Sequence, residues 1–408
     1  MTVKLSNPEI TVNIDKTQSE QTGSVNEIGL TAQCACDIER TISTEPSLKE
    51  KNNMKHLVYL SVGLLLCLAE GDAMAAPAAE TAGQALAKIV KMTPEQRQKT
   101  LVEKAKAEGE VSFYSSLQAQ QIDPFTQAFR KRYSFVKVNP YRVSGNRQVI
   151  KIQTEMNAGN HLFDVTNGSA EQASALKKIG AIDPYASPQR DFFAVPNKDR
   201  EGYFTSLYAI PIVLGYNINL VKRAEAPRSY EDLLHPKWKG NMFLDDEAYE
   251  WFAVLLKHFG REKGLQYMRN LAKQDLRMVR GRTAQSQLLA AGERPLAIVL
   301  SGHTVWELKT KGAPLEGVIL DPYFAQANKL MLARHAPHPY AAALFIDWSL
   351  SEEGQSMITT FGRVVARKGV KQRFPELVEK EYFLVDVDFI GPILDQSGKE
   401  FSQIFLGR

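Results

Sequence analysis

Arg280-Gly281-Arg282 sets two guanidiniums one residue apart, just before a helix expected over Thr283 to Ala291. Guanidinium forks match the geometry of a carboxylate or phosphate, and the first turn of a helix adds backbone N–H groups of the same polarity. Two solvated surface arginines are the competing reading. Asp245-Asp246-Glu247 heads a second expected helix, Ala248 to Phe259. Acids suit the dipole there, so capping alone accounts for at least one of them. His303 follows the strand-like run Pro295 to Leu300 almost directly, where it meets either a ligand or a structural partner. Three short polar segments, Ser115-Ser116, Ser144-Gly145-Asn146 and Asn167-Gly168-Ser169, each separate a strand-like run from a helix-like one. One such serine or asparagine is most often a helix cap, but three in succession favour a binding surface. The set Ser115, Ser116, Ser144, Asn146, Asn167, Ser169, Tyr208, Asp245, Glu247, Arg280, Arg282 and His303 therefore forms the candidate ligand lining.

Catalysis would need a paired acid and base or an activated nucleophile, and these serines have no evident base beside them. The sequence shows no Gly-rich nucleotide loop, no nucleophile elbow and no zinc-protease motif. His335 and His338 make an His-x-x-His spacing with no third ligand nearby, which reads as loop residues rather than a metal site. Tyr249 and Trp251 can stack on a ring or pack in a core, and helical spacing favours packing for Trp251. The expectation is a binding protein without enzyme activity, metal or cofactor.

The elements that must position these residues alternate. Thr93 caps a helix with Pro94 at its first position, running to Ala107. Strands over Glu110–Tyr114, Phe135–Val143 and Phe163–Thr166 alternate with helices over Ile122–Tyr133, Arg147–Ala158 and Ala170–Ile179, which implies a mostly parallel, helix-covered α/β sheet. In such sheets the loops at the carboxyl ends of the strands converge on the ligand crevice. A second domain follows: strands over Gly240–Leu244 and Pro295–Leu300, and helices over Tyr249–Phe259 and Lys263–Leu271. The apolar stretches Tyr208–Leu220 and Val318–Ala333 read as two crossings between the domains, hence a hinged cleft.

Targeting is written near the start. Met54-Lys55-His56, the apolar run Leu57–Ala69 and the small-x-small Ala73-Met74-Ala75 have the order of a secretory signal, too short to span a bilayer. The expected exported chain begins at Ala76, and the polar residues 1–53 read as an upstream extension that could not bury a core. Cys67 follows the large Leu66, a poor lipoprotein context. All three cysteines, Cys34, Cys36 and Cys67, precede Ala76, so the exported part has no thiol chemistry. The whole chain carries 50 Lys and Arg against 46 Asp and Glu. From Ala76 onward the excess rises to about +8 and lies in mixed-sign patches, as on solvated helix faces rather than a nucleic-acid stripe.

The order of these features resembles a known family. An exported signal, three strand-loop-helix units, Tyr208-Ala209-Ile210-Pro211 leading into Gly215-Tyr216-Asn217, then Leu233-Leu234-His235-Pro236-Lys237-Trp238-Lys239-Gly240 and Asp347-Trp348 with Ser351-Glu352-Glu353-Gly354-Gln355 are similar to the family 1 extracellular solute-binding proteins. The resemblance implies a type II periplasmic-binding-protein fold: lobe 1 from residues 108–210 and 320–370, and lobe 2 from 211–319 and 371–408. Residues 76–107 form a tether and N-terminal helix. It implies a periplasmic monomer that hands a small solute to the permease and ATPase of an ABC importer. Within the family the ferric-ion-binding group is similar, and its metal is held by a His, a Glu and two adjacent tyrosines. This chain departs from that pattern, with Ser301-Gly302-His303-Thr304 where the tyrosines would stand, Ser115-Ser116-Leu117-Gln118 at the histidine and Asn167-Gly168-Ser169 near the glutamate. A small organic anion is the expected solute; iron(III) or an iron complex is the alternative, and an exported enzyme a further one.

Overall fold

A computed structural model describes residues 80–407. The expected signal at 54–75, the upstream extension and all three cysteines lie outside the described residues. The helix Pro94–Glu108 starts as expected: Thr93 Oγ1 accepts from Gln96 N, the Gln96 side chain returns the bond to Thr93 N, and Pro94 occupies the first position. Gly109 ends it at φ 74°, in the left-handed region that costs glycine little.

The strands are β1 Glu110–Ser115, β2 Lys137–Arg142, β3 Val165–Ser169, β4 Ile182–Asp183, β5 Thr205–Asn217, β6 Met242–Asp245, β7 Arg277–Val279, β8 Leu296–Ser301, β9 Leu315–Val318, β10 Phe324–Ala333 and β11 Phe383–Val385. They run β2-β1-β3-β10-β5-β8-β6-β7 across one continuous path. β1 pairs in parallel with β2 and β3, and β6 in parallel with β7 and β8. The long β5 serves both halves of the sheet. Ile210 and Pro211 face β10, whereas Ile212 and Val213 already pair with β8, and Leu214 to Asn217 pair with β9. The chain returns from β9 to β10 through residues 319–323. These are the two crossings expected from the apolar stretches.

Helices cover both halves because each has an apolar face to bury. In the first half Phe113, Phe125, Phe129, Phe345 and Trp348 form an aromatic core, with Phe113 and Phe345 ring centroids 4.9 Å apart. In the second, the helix Tyr249–Phe259 is buried on nearly every side, as its sequence YEWFAVLLKHF requires. Its Trp251 is fully buried, which answers the packing-or-stacking question in favour of packing. Gly354 has a steric reason in the late helix Glu352–Thr360, since a Cβ there would sit 2.2 Å from the Trp348 carbonyl oxygen. The C-terminal region expected in one lobe divides: β11 pairs with β10, the helix Val387–Ile390 packs on the helix Ala170–Lys178, and the helix Leu394–Phe401 packs on Tyr249–Phe259.

Candidate ligand-binding site

The parallel order β2-β1-β3 brings the three polar segments to one edge, but Asn167-Gly168-Ser169, expected as a loop, is the end of β3 and pairs with β10, and the three do different work there. Ser115 Oγ donates to Asn167 Oδ1 at 2.8 Å and accepts from Leu117 N at 3.2 Å. Asn167 Nδ2 donates to Ser116 Oγ at 2.9 Å and to Asn328 Oδ1 at 2.6 Å, and Asn328 Nδ2 returns to Ser116 Oγ at 3.0 Å. Ser115 and Asn167 are wholly buried and spent on this network, Asn328 is buried with them, and Ser116 is its partly exposed member. Ser169 caps the helix Ala170–Lys178, accepting from Gln172 N at 3.3 Å. Ser144 and Asn146 are exposed, and Gly145 at φ 64° occupies the cap of the helix Asn146–Asn157. The structure thus unites Ser115, Ser116 and Asn167 and leaves Ser144 and Asn146 at the surface.

On the other side of the crossings, β6 ends in Asp245, whose Oδ1 accepts from Glu247 N and Gly281 N, each at 3.3 Å. That fixes the turn before the helix Arg282–Ala290. Arg280 and Glu247 pair with each other in the open. Arg282 lies inward, its Nε 3.5 Å from Asp245 Oδ2 and its Nη1 donating to Gln326 Oε1. Gln326 in turn donates from Nε2 to Glu250, a buried acid in the first turn of Tyr249–Phe259. The two arginines of Arg280-Gly281-Arg282 are therefore separated, and each already has a carboxylate.

His303 enters from the first turn of the helix Gly302–Thr310, 5% exposed. A Cβ on Gly362 would lie 3.5 Å from the His303 Cβ, which brings the loop after Thr360 onto the imidazole. That loop delivers Arg363. Its guanidinium carbon lies 4.9 Å from the centroid of the Tyr208 ring, and Nη2 is 3.5 Å from Gln121 Oε1. Arg363 is 6% exposed, Nε has no partner, and among the described residues it forms no ion pair. Burial lowers its pKa, although a guanidinium stays charged at any ordinary pH. His303 is pushed well below the ordinary histidine range, first by burial and then by the Arg363 and Arg282 charges. The imidazole is thus neutral at neutral pH, and its Nδ1 is buried without a partner. Glu250 is pushed up to about 7, chiefly by burial, with Arg282 opposing and Glu171 adding to the rise.

Arg363, Gln326, Asn328, Glu250 and Gln121 escaped the reading of the sequence. Asn328 and Gln326 alternate with buried apolar residues along β10, a period-2 signal that was present and not used. Arg363 in Phe361-Gly362-Arg363 carries no local mark; only the path of the chain brings it to Tyr208 and His303.

Arg363 Nε and His303 Nδ1, both buried without hydrogen-bond partners near the carboxyl end of β8, form a candidate site for a polar solute. Known proteins agree. Residues 168–390 match the family model described as bacterial extracellular solute-binding protein, and the chain belongs to that family. An uncharacterized protein of Haemophilus influenzae is 26% identical over 269 residues, 62% of this chain and 76% of its own length. Iron-bound HitA of Pseudomonas aeruginosa superposes at TM-score 0.64 with 17% identity, covering 72% of this chain and 99% of that one. AfuA of Actinobacillus pleuropneumoniae, solved with fructose-6-phosphate, superposes at 0.61 with 22% identity, covering 73% and 97%. FutA of Trichodesmium, solved with iron and citrate, gives 0.63 with 18% identity, covering 72% and 99%. These likenesses bear out the type II periplasmic-binding-protein fold.

Proposed function

We propose that this chain is the exported, non-enzymatic solute-binding component of an ABC-type importer, and that it holds a small organic anion at Arg363. The two lobes, 108–210 with 320–370 and 211–319, with the C-terminal residues 371–408 divided between them, close about the crossings and exclude water from the captured solute. The signal over 54–75 delivers the protein to the periplasm, where it meets the permease and ATPase as a monomer.

The observation that carries this reading is the buried Arg363 guanidinium, which has no ion pair among the described residues and an unsatisfied Nε, beside the partnerless Nδ1 of neutral His303. An ion removed from water is costly unless paired, and an unpaired buried donor costs about 1–3 kcal/mol, more when charged. An anion bound by both groups offsets that cost, so the site is completed by its ligand. Ser116 and the first turns of Ala119–Arg132 and Gly302–Thr310 add polarity of the same sign. Arg280, paired with Glu247 in the open, takes no part. Among the described residues no group of three or more His, Cys, Asp or Glu side chains is placed to hold a metal ion, and iron(III) or an iron complex stays the alternative. The missing tyrosine pair at Ser301-Gly302-His303-Thr304 favours the anion.

A thermal-shift screen of the purified protein tests the reading, using iron(III) with and without citrate, sugar phosphates, carboxylates, amines and thiamine. A ligand at about a hundred times its Kd adds about 2.7 kcal/mol of stability. The expected result is a melting shift with an organic anion and none with iron(III) alone. A shift confined to iron(III) replaces this reading with the iron alternative.

A further inference from the structure

One hydroxyl in the site has its hydrogen-bond direction fixed by its neighbours. Ser116 N is a backbone donor and nothing else, so the atom of Asn167 that it meets at 3.3 Å is the carbonyl Oδ1, which also accepts from Ser115 Oγ at 2.8 Å. The other end of that amide is therefore Nδ2, and it donates to Ser116 Oγ at 2.9 Å and to Asn328 Oδ1 at 2.6 Å. With its oxygen so placed, Asn328 turns Nδ2 onto Ser116 Oγ as well, at 3.0 Å. A serine hydroxyl has two acceptor lone pairs and one hydrogen. Both lone pairs of Ser116 are taken by amides, and its hydrogen has no acceptor among the described residues. Ser115, Asn167 and Asn328 are buried while Ser116 is partly exposed, so the side chain can only donate, and only away from the network.

This donor belongs with Arg363. Asn328 and Tyr208 stand opposite each other across β10 and β5, so their side chains share a face of the sheet, and Tyr208 carries the Arg363 guanidinium on its ring. From the other side, the helix Ala119–Arg132 begins three residues after Ser116, and its Gln121 meets Arg363 Nη2 at 3.5 Å. One strand pair and one helix start thus hold two groups that donate and cannot accept.

We propose that Ser116 Oγ donates to an oxygen of the solute's carboxylate, phosphate or sulfonate group, and that Asn328 is the positioning residue that holds the hydroxyl in this direction. The inference rests on the anion reading above and adds a second contact of fixed polarity. A freely turning hydroxyl accepts or donates as the solute requires; one locked by two amides does not. An ammonium group brought to Ser116 finds no free lone pair, so selection of an oxyanion over an amine is set at this residue.

The test is isothermal titration of the full chain with citrate, glucose 6-phosphate and methanesulfonate, on wild type, Ser116→Ala, Asn328→Leu and the double variant. For the probe that binds wild type most tightly, Ser116→Ala is expected to weaken binding about tenfold, as loss of one hydrogen bond to a charged group does. Asn328→Leu is expected to weaken it about threefold by freeing the hydroxyl to turn, and to cost nothing further once Ser116 is replaced by alanine. Two losses that multiply in the double variant overturn the positioning role, because Asn328 then acts independently of Ser116. Unchanged affinity in Ser116→Ala overturns the whole inference, and that result can be read even if Asn328→Leu does not fold. If Arg363→Met weakens the same probe while Ser116→Ala does not, the anion reading stands without this contact. If no probe binds wild type, both fall.

Discussion

Replacing Arg363 by methionine, which keeps much of its length and volume without the charge, separates function from stability. The wild-type side chain is 6% exposed, has no ion pair among the described residues, leaves Nε unsatisfied and meets Gln121 only at 3.5 Å. Its closest compensation is the Tyr208 face at 4.9 Å, about 1–2 kcal/mol for a desolvated cation over a ring, with the Glu307 charge adding a weaker attraction. Burying an unpaired charge costs several kcal/mol, so Arg363→Met should stabilise the ligand-free protein by about 1–2 kcal/mol. The same change should weaken binding of the anionic solute by about 2–5 kcal/mol, the usual loss when one partner of a buried charge pair is truncated. Urea unfolding of the ligand-free protein gives the first quantity and calorimetric titration the second. A variant less stable than wild type by more than about 1 kcal/mol, with ligand affinity retained, would refute the argument: Arg363 would then be a structural cation.

Three further outcomes follow from other residues. Arg280→Ala should leave solute affinity within about twofold, since an exposed pair such as Arg280–Glu247 contributes little; a tenfold loss on titration would return Arg280 to the site. Asp347 accepts from Arg97 at 2.7 Å and from Tyr185 Oη at 3.0 Å, all three buried, so Asp347→Ala strands a buried guanidinium. The expected loss is about 3–5 kcal/mol in urea unfolding, and a loss under about 1 kcal/mol contradicts it. Lys329 is fully buried against Ser206 Oγ, the Pro196 carbonyl and the Phe204 ring, and burial pushes it down to about 8 from 10.5. Between those values the unfolded chain holds a proton that the folded one has released, so stability should rise with pH there, by up to about 3 kcal/mol. Lys329→Met should remove that rise; equal pH slopes for variant and wild type would show that Lys329 does not titrate in this window.

The parts of the fold governed by local chemistry were legible in the sequence. Thr93-Pro94, the three strand-loop-helix units and the two apolar crossings each follow from caps, periodicity or breakers, and each stands in the structure within a few residues of its expected bounds. The short strands β4, β7, β9 and β11 carry too few residues to show a period, and they exist because a longer neighbour offers an unpaired edge. The site was legible only in part. Ser115, Ser116, Asn167, Arg282 and His303 come from strand ends and helix starts, where position alone suggests the cleft. The sequence reading could not tell Arg280 from Arg282, because the direction of a side chain at Gly281 depends on a backbone turn at φ 91°. Arg363 and Glu250 become visible only when burial is known, since a surface arginine and a buried unpaired one are written with the same letter.

The central claim is that a captured solute completes the unpaired donors of Arg363 and His303. A crystal structure of the complex with the anion that gives the largest thermal shift tests it most directly. The account predicts an oxygen of the anion within about 3 Å of Arg363 Nε and of His303 Nδ1, with Glu247 and Arg280 still paired in the open. A solute bound elsewhere, with Arg363 still lacking a partner, would contradict it.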